Sequence, residues 1–401
     1  MSCSNYLRVG TKYYKYVMRP NINGSMDKVL VSWKKETIIQ DHGKEILNNI
    51  LKYDGFISIP NHINYKDSIG TFKNNYFELQ GNLAEGEFPI IDDFITHIFG
   101  EQKELGYDYL TIMYQIPDQV LPVLCLVSEQ KHTGKTTFFK FIKMLFQYNA
   151  TFVQADSLRS NFNADWVDKL VIMADEVKFD RQQDSDRIKE LSTATSFKIE
   201  SKGIDRYEIP FFGKIMLGSN HVNDFILIDN NEIRYWVIDV KKPSKYIEDF
   251  ENKLFKELPY FKYFLANRKI STKCSSRMWF SKEQIKTDAL LRVVKGTRFS
   301  IENDLKIILL NLFEIYERAE LKFTLSELVS IVKQDHIRVT MSQIKYIVEE
   351  KWYLKKSQST TYKIYAIRYC DILKKSVIDE IPKKGRVYVF NKNYIESIEI
   401  C

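Results

Sequence analysis

The segment Leu124–Phe139 reads LCLVSEQKHTGKTTFF and joins two patterns of apolar residues. The apolar run at its start predicts a buried strand, and the apolar residues at its end predict a helix. Between the two lies a polar loop that ends in Gly134-Lys135-Thr136. This order of strand, polar loop, Gly-Lys-Thr and helix is typical of a loop that binds the phosphates of a nucleotide. The sequence therefore predicts a nucleotide site here.

Each residue type in this loop has a chemical role. Gly134 allows the tight turn that directs backbone N–H groups at a phosphate, and the start of the following helix adds partial positive charge. Lys135 would reach the β- and γ-phosphates, and the Thr136 hydroxyl would bind Mg²⁺. Glu129 stands where the full pattern has its first glycine, and a bare Gly-Lys-Thr also arises by chance. The nucleotide-binding set is Glu129, Gln130, Lys131, His132, Thr133, Gly134, Lys135, Thr136 and Thr137.

Size and composition exclude several classes of protein. A chain of 401 residues predicts two or three domains. The first residues lack the apolar stretch of a signal peptide, and no run of about 18 apolar residues predicts a membrane span. The five cysteines are scattered without the spacing of metal ligands. We therefore expect a soluble, cytoplasmic protein that does not contact a membrane.

The net charge of +7 is unevenly distributed. Residues 1–100 carry 11 basic and 11 acidic side chains, and residues 101–245 carry 19 and 21. Residues 246–401 carry 29 basic and 20 acidic side chains, so the positive excess lies there. This excess suits a polyanion as partner, although an ordinary lysine-rich surface explains it equally well.

A second apolar strand, Leu170–Ala174, ends in Asp175-Glu176, 40 residues after Lys135. Asp175 would hold Mg²⁺, directly or through water, and Glu176 would polarise the attacking water. Taken alone, the pair would be a solvated turn. Its spacing from the predicted phosphate loop favours catalysis.

Two further strands end or begin at polar residues. The run Lys214–Gly218 is followed by Ser219 and Asn220, and the amide of Asn220 would hold the attacking water or form an Asx turn. Arg234 precedes the strand Tyr235–Val240. It is either a surface charge or, in a ring ATPase, a residue that reaches the γ-phosphate of a neighbouring subunit. Polar strand ends of this kind predict an open α/β sheet with its ligand at the carboxyl ends.

The segment Leu191–Pro210 predicts a hairpin with Lys202 exposed at its tip. Closer to the end of the chain, two capping boxes, Thr324 with Glu327 and Thr340 with Gln343, each predict the start of a helix.

The segments Trp352–Lys356 and Tyr362–Ile367 then alternate like the two strands of a hairpin. Two helices and a hairpin predict a winged helix, in which the Thr340–Glu350 helix enters a DNA groove. Lys345, Lys355 and Lys356 would then contact DNA phosphates. The alternative is a small α+β module that packs against the chain or a protein partner.

Taken together, these elements resemble the superfamily 3 helicases, which are ring-forming AAA+ ATPases. The closer resemblance is to the helicase part of phage and plasmid primase-helicase proteins and covers about residues 75–300. The local runs that carry it are GYDYL at Gly106–Leu110, LVSEQ and TGKTTF within Leu126–Phe138, NFNADW at Asn161–Trp166 and SKG ending at Gly203.

The resemblance implies roles for individual residues. ATP and Mg²⁺ would be the cofactors, and Lys202 would grip DNA in the central channel of the ring. Asn220 would be the sensor, and Arg234 would be an arginine finger supplied in trans. His132 stands where related loops commonly have a second glycine. The predicted catalytic set is Lys135, Asp175, Glu176, Asn220 and Arg234.

The predicted fold is α/β, with an AAA+ P-loop core built on a parallel sheet over residues 101–245. A mostly helical accessory domain would precede it at 1–100. A helical lid or connector would follow at 246–300, and a winged-helix-like DNA-binding domain at 301–401.

The predicted function is that of an ATP-dependent DNA helicase in the replication of a phage or mobile element. The resemblance implies a homo-hexameric ring that moves 3′→5′ on single-stranded and forked DNA. Since no primase motif is recognised upstream, we expect a helicase without a fused primase, for which a separate primase or polymerase is a candidate partner. Two alternatives remain: an AAA+ origin-melting or loader ATPase without processive unwinding, and a non-catalytic DNA-binding protein with a decayed loop.

Overall fold

The computed structural model of the chain describes residues 5–20, 26–160, 162–179, 181–201, 204–229, 232–334, 339–370 and 375–398. The chain divides into two compact units. The first comprises Met1–Val177, Lys189–Ser219 and Ile233–Ile285, and the second Lys178–Ile188, Asn220–Glu232 and Lys286–Cys401.

The beginning of the first unit consists mainly of strands. They form a four-stranded sheet in the order β3-β2-β1-β4 and a three-stranded sheet in the order β5-β7-β6. The elements are β1 (Tyr6–Val9), β2 (Lys12–Pro20), β3 (Met26–Trp33), α1 (Lys35–His42), β4 (Leu51–Tyr53), β5 (Gly55–Ile57), β6 (Ser68–Ile69) and β7 (Phe72–Asn74).

The prediction of a mostly helical region over residues 1–100 is therefore wrong. The strands β2 and β3 are rich in aromatic and β-branched residues, which fit a pleated sheet, and they pair in register from Tyr13 opposite Trp33 to Pro20 opposite Met26. Helix within residues 34–49 is limited to the two turns of α1 and a 3₁₀ turn, Lys44–Asn49. A three-turn helix, Pro89–Phe99, ends this region.

The middle of the chain alternates strands and helices. Its elements are α2 (Pro89–Phe99), α3 (Lys103–Gln115), β8 (Val123–Val127), α4 (Lys135–Phe146), β9 (Ala150–Phe152), α5 (Ala155–Arg159), β10 (Val171–Ala174), α6 (Gln182–Thr193), β11 (Ser196–Ser201), β12 (Ile204–Pro210), β13 (Lys214–Ser219), β14 (Tyr235–Asp239) and α7 (Phe250–Asn267). The strands β11 and β12 form the predicted antiparallel hairpin.

Among the described residues, five of these strands form a parallel sheet in the order β14-β8-β13-β10-β9. The strands β8, β10 and β13 are buried along their whole length, which explains their nearly continuous apolar sequences. The prediction of an α/β fold with a parallel sheet is confirmed. All strands of the sheet point the same way, so their carboxyl ends lie at one edge.

Aromatic side chains pack the helices of this unit onto the sheet. Phe138 and Phe141 of α4 are fully buried and contact Phe94 of α2, and Phe141 also contacts Phe261 of α7. Truncation of a buried phenylalanine of this kind typically costs about 3–5 kcal/mol of stability. The helix α4, which begins at Lys135, is therefore held firmly in place.

A buried carboxylate joins α3 to the segment after α7. Asp108 has no exposed surface, binds the Arg268 guanidinium, and accepts hydrogen bonds from both the backbone and the hydroxyl of Ser271 and from the Thr272 backbone. Burial alone would raise the pKa of Asp108, but these partners outweigh it and the pKa is lowered. Removal of one partner from a buried pair typically costs about 3–5 kcal/mol.

The second unit has its own apolar core. Its elements are α8 (Asp288–Ile315), β15 (Glu320–Phe323), α9 (Leu325–Gln334), α10 (Met341–Tyr346), β16 (Thr360–Cys370), β17 (Lys375–Gly385), β18 (Tyr388–Asn391) and α11 (Lys392–Ser397). A π-helical turn, Ile347–Lys351, continues α10. The strands β16 and β17 form an antiparallel hairpin, and β15 pairs with β18.

Both predicted capping boxes are confirmed. The Thr324 backbone donates to the Glu327 carboxylate at 2.9 Å, and the Thr340 hydroxyl accepts from the Gln343 backbone at 3.3 Å. The predicted strand Trp352–Lys356 is wrong, since the hairpin begins at Thr360. Trp352 is instead fully buried, and its indole N–H donates to Glu302 at 2.8 Å.

Candidate nucleotide-binding site

The loop between β8 and α4, residues 128–134, lies at the carboxyl edge of the parallel sheet. The Ser128 backbone N–H donates to the carbonyl of Ser219 at 3.1 Å, which attaches the loop to the end of β13. Gly134 has a φ of 99° and directly precedes α4. His132 has a φ of 60°, so a non-glycine residue also takes the left-handed conformation in this loop.

Asp175 and Thr136 come together across the sheet edge. The Thr136 hydroxyl donates to Asp175 Oδ2 at 2.6 Å, although β13 lies between β8, which precedes the loop and α4, and β10, which Asp175 follows. The other carboxylate oxygen of Asp175 accepts the backbone N–H of Glu176 at 3.0 Å. Glu176 is exposed and has a φ of 55°. The folded chain thus brings together two predicted metal ligands from residues 39 apart in sequence.

Gly218 makes room for this carboxylate. A Cβ atom built at Gly218 would collide with Asp175 Oδ1 and would lie 2.9 Å from a ring carbon of Phe139. Any other residue at this position of β13 would therefore displace Asp175 or the strand. The glycine within an otherwise apolar strand is the sequence signal of such a close approach.

Lys135 is 7 % exposed at the start of α4. Burial lowers its pKa, while the carboxylates of Asp175, Asp239 and Glu176 oppose that shift. Asp239 is exposed at the end of β14, in register with Val127, the last residue before the loop. Sequence reasoning missed Asp239, although its place at a strand end is comparable to that of Asp175.

The residues that meet here suit a hard cation such as Mg²⁺, which prefers hydroxyl, carboxylate, phosphate and water oxygens. Among the described residues, no cluster of three or more His, Cys, Asp or Glu residues could hold a metal ion. A cation at Thr136 and Asp175 would therefore need oxygens from a bound phosphate or water to complete its shell.

The rest of the predicted loop set falls into two groups. Thr133 is buried and Thr137 is half-buried, whereas the remaining residues are exposed. The exposed residues are Glu129, Gln130, Lys131 and His132.

The two remaining predicted catalytic residues lie directly after one strand and directly before another. Asn220 is exposed and is the first residue after β13. Arg234 precedes β14, and its carbonyl accepts the N–H of Val123, so it lies at the amino edge of the sheet. The length of β14 places it about 16 Å from the carboxyl edge.

The predicted DNA-binding lysines have different outcomes. Lys202 lies outside the described residues. Lys345, Lys355 and Lys356 are exposed in the second unit, and the Lys345 ammonium lies 3.7 Å from Glu349.

No described helix is both long and apolar enough to cross a bilayer.

The fold and the site define a mixed α/β protein with polar residues assembled at the carboxyl edge of a parallel sheet. The sequence profile of a family of unknown function, DUF5906, matches residues 126–234, which is less than half of the chain. No curated protein matches the chain.

Two solved structures show the same fold over most of the chain. The apo structure of the NrS-1 C-terminal region, residues 305–718, is 15% identical, with a TM-score of 0.60, and the match covers 96% of each chain. The A form apo structure of that region is 15% identical, with a TM-score of 0.58, and covers 90% of this chain and 95% of the other. At this identity, the likeness concerns the fold alone.

Proposed function

We propose that this protein is an ATP-dependent DNA helicase with an AAA+ P-loop core, which acts in the replication of a phage or mobile element. The observation that carries the proposal is the 2.6 Å hydrogen bond between Thr136 and Asp175 at the sheet edge. It joins the Gly-Lys-Thr segment to the strand-end acid, and these are the two parts that an NTPase needs around Mg²⁺.

The proposed chemistry is attack of water on the γ-phosphate of ATP. ATP bound with Mg²⁺ supplies the phosphoryl group that is cleaved. Lys135 and the loop N–H groups hold the phosphates, while Thr136 and Asp175 hold the cation, directly or through water. Glu176 and Asn220 orient and polarise the attacking water.

The position of Arg234 supports a ring in which subunits share their sites. Its place at the amino edge of the sheet puts it far from the loop of its own chain. As an arginine finger it would act on the nucleotide of a neighbour, and identical head-to-tail contacts close into rings. We propose a homo-hexamer, the form that the resemblance to superfamily 3 helicases implies.

The proposed polymer is single-stranded and forked DNA. Residues 246–401 carry the positive excess, and the second unit has two capped helices followed by a hairpin, the order of a winged helix. Exposed Lys345, Lys355 and Lys356 would contact phosphates there, and Lys202 would contact them in the channel. The 3′→5′ direction is implied by the resemblance, and a separate primase or polymerase is a candidate partner.

ATP hydrolysis in the presence of single-stranded DNA tests the enzyme proposal. We expect the wild type to require Mg²⁺ and Lys135→Ala to fall to background. The matched control is Lys140→Ala on the same helix, because Lys140 is exposed and pairs with Glu251 at the surface. Equal rates for the wild type and Lys135→Ala would contradict the proposal and favour a DNA-binding protein with a decayed loop.

A mixture of two inactive variants tests the shared site. Arg234→Ala and Lys135→Ala should each lack activity, but in a mixed ring about a quarter of the interfaces combine an intact Lys135 with an intact Arg234 from the neighbour. Partial recovery of ATPase activity is expected. If Arg234 acts on its own subunit, the mixture stays inactive.

Strand separation of a forked duplex distinguishes the helicase from a loader or origin-melting ATPase. We expect ATP-dependent separation by the wild type and none by Lys135→Ala. DNA-stimulated hydrolysis without separation would favour the loader.

A further inference from the structure

His97 contacts the phosphate loop from a helix that precedes it in the chain. It lies in the last turn of α2, and its Nε2 atom is 2.8 Å from the carbonyl oxygen of Thr133. Since a carbonyl only accepts, Nε2 carries the proton and donates. A Cβ atom built at Gly134 would lie 3.5 Å from His97 Nε2 and from a ring carbon of Phe94. The helix α2 therefore packs directly against the 133–134 peptide.

The hydrogen bond determines which way this peptide faces. In a trans peptide the C=O and the following N–H point in opposite directions. The Thr133 carbonyl points at His97, so the Gly134 N–H points away from α2. That N–H is among the backbone groups that a phosphate loop of this type directs at a phosphate.

Gly134 makes this orientation easy to lose. Its φ of 99° lies in the region that glycine occupies about as readily as negative φ. A rotation of the 133–134 peptide therefore meets little steric resistance on the glycine side. The loop needs an external group to hold the peptide in one orientation.

The helix α2 is well suited to supply that group, because it is itself held in place. The Glu257 carboxylate of α7 accepts the N–H groups of Ile90 and Ile91 at 3.2 and 2.9 Å, which caps the start of α2. The ring of Phe94 packs edge-on against Phe250, with centroids 5.0 Å apart.

We infer that His97 is a positioning residue, which fixes the 133–134 peptide so that the Gly134 N–H faces the bound phosphate. This inference rests on the proposed nucleotide site. It gives His97 no contact with ATP. Its effect is on the fraction of molecules whose loop is ready to bind.

Loss of the donor therefore has a specific signature. If only part of the population holds the competent loop, the apparent Kd rises by the inverse of that fraction, whereas kcat at saturation changes little. His97→Ala and the bulkier His97→Leu should both raise the Kd of an ATP analogue and the KM for ATP, by up to about tenfold for one hydrogen bond. A general loss of folded protein would instead lower the number of sites.

Two variants serve as controls. The amide of His97→Gln can place an N–H near the position of Nε2, and we expect it to restore most of the affinity. Thr96→Ala changes the neighbouring exposed residue, whose hydroxyl donates to the Asp92 carbonyl one turn earlier, and should behave as wild type.

The experiment measures two quantities on the full chain. The first is the Kd of AMP-PNP with Mg²⁺ by calorimetry. The second is amide hydrogen exchange of residues 128–138 without nucleotide, which we expect to be faster in His97→Ala and His97→Leu than in wild type and His97→Gln. Wild-type affinity and exchange in His97→Leu would overturn the inference.

The two proposals fail in different ways. If the wild type binds no AMP-PNP, the proposed function is wrong. The exchange rates then decide the inference alone: unequal rates in the leucine and glutamine variants support a loop held by His97, and equal rates overturn it.

Discussion

The contact between Thr136 and Asp175 at the sheet edge depends on Gly218, which has no functional side chain. The Asp175 carboxylate occupies the space that a side chain at Gly218 would fill, and in that position it accepts the Thr136 hydroxyl. Gly218 is thus a steric requirement of the proposed metal site. Because Gly218 acts only on the position of Asp175, its replacement should alter turnover more than nucleotide binding.

Gly218→Ala should therefore lower kcat by about 100-fold, the effect of an ångström-scale misplacement of a catalytic group. Nucleotide affinity should change much less, because Lys135 and the loop remain. Steady-state ATPase kinetics and calorimetry check both quantities. The matched control is Gly385→Ala, where a Cβ atom has only ordinary contacts at 3.5 Å. An unchanged kcat in Gly218→Ala would contradict the steric role of Gly218.

The loop conformation also bears on His132, which stands where the loops that this one resembles commonly have a glycine. Its φ of 60° lies in the left-handed region, where an L side chain typically costs about 1–2 kcal/mol. The backbone at position 132 therefore has a conformation that glycine adopts more easily than the histidine that occupies it.

His132→Gly should consequently be more stable than His132→Val, by about 1–2 kcal/mol in the free energy of unfolding. Urea denaturation measures the difference. At the neighbouring Lys131, whose φ is not positive, the order should reverse, because glycine there adds flexibility to the unfolded chain. The same order at both positions would contradict a strained His132.

At the scale of elements, a neutral histidine, His62, joins the segment between β5 and β6 to α3. His62 Nδ1 donates to the Tyr114 carbonyl at 2.9 Å, and Nε2 accepts the Tyr76 hydroxyl at 2.6 Å. Burial lowers the pKa of His62 to about 4, assisted by the positive charges of Lys214 and Lys262, although the bond to Tyr114 opposes the shift. His62 is thus uncharged at neutral pH.

This shift predicts an acid-sensitive first unit. An unfolded histidine has a pKa near 6.5 and takes up a proton that the folded one resists. The stability from His62 is therefore complete above about pH 6.5 and lost as the pH falls towards 4, by about 3 kcal/mol. Urea unfolding between pH 7 and 4 measures the loss, which His62→Gln should reduce. Parallel pH curves for both proteins would contradict the assignment.

At the scale of the whole molecule, the charge of residues 246–401 should govern the salt dependence of the proposed DNA binding. Each phosphate contact on single-stranded DNA contributes about −0.7 to the slope of log K against log salt. Lys355→Ala with Lys356→Ala should therefore reduce the slope by about 1.4. Fluorescence anisotropy with labelled oligonucleotides at several salt concentrations measures it.

The matched control is Lys34→Ala with Lys35→Ala, two exposed residues in the region of balanced charge. That pair should leave the slope unchanged. An equal effect of both double variants would show that net charge alone, rather than the second unit, drives binding.

The sequence by itself determined the features that depend on neighbours in the chain. The strand before Gly134-Lys135-Thr136, the helix after it and both capping boxes follow from apolar spacing and from side chains within four positions of the backbone groups they bind. The α/β class followed from the alternation of these patterns. Asp175 was found because a carboxylate at the end of an apolar strand is a local signal.

Only the tertiary structure decided which of these residues meet. The pairing of β2 with β3, the placement of β13 between β8 and β10, and the approach of His97 to the Thr133 carbonyl join positions distant in sequence. Local propensity does not encode such contacts, since they arise when buried faces pack against each other. For the same reason Gly218, Asp239 and His97 acquire a role at the proposed site only in the folded chain.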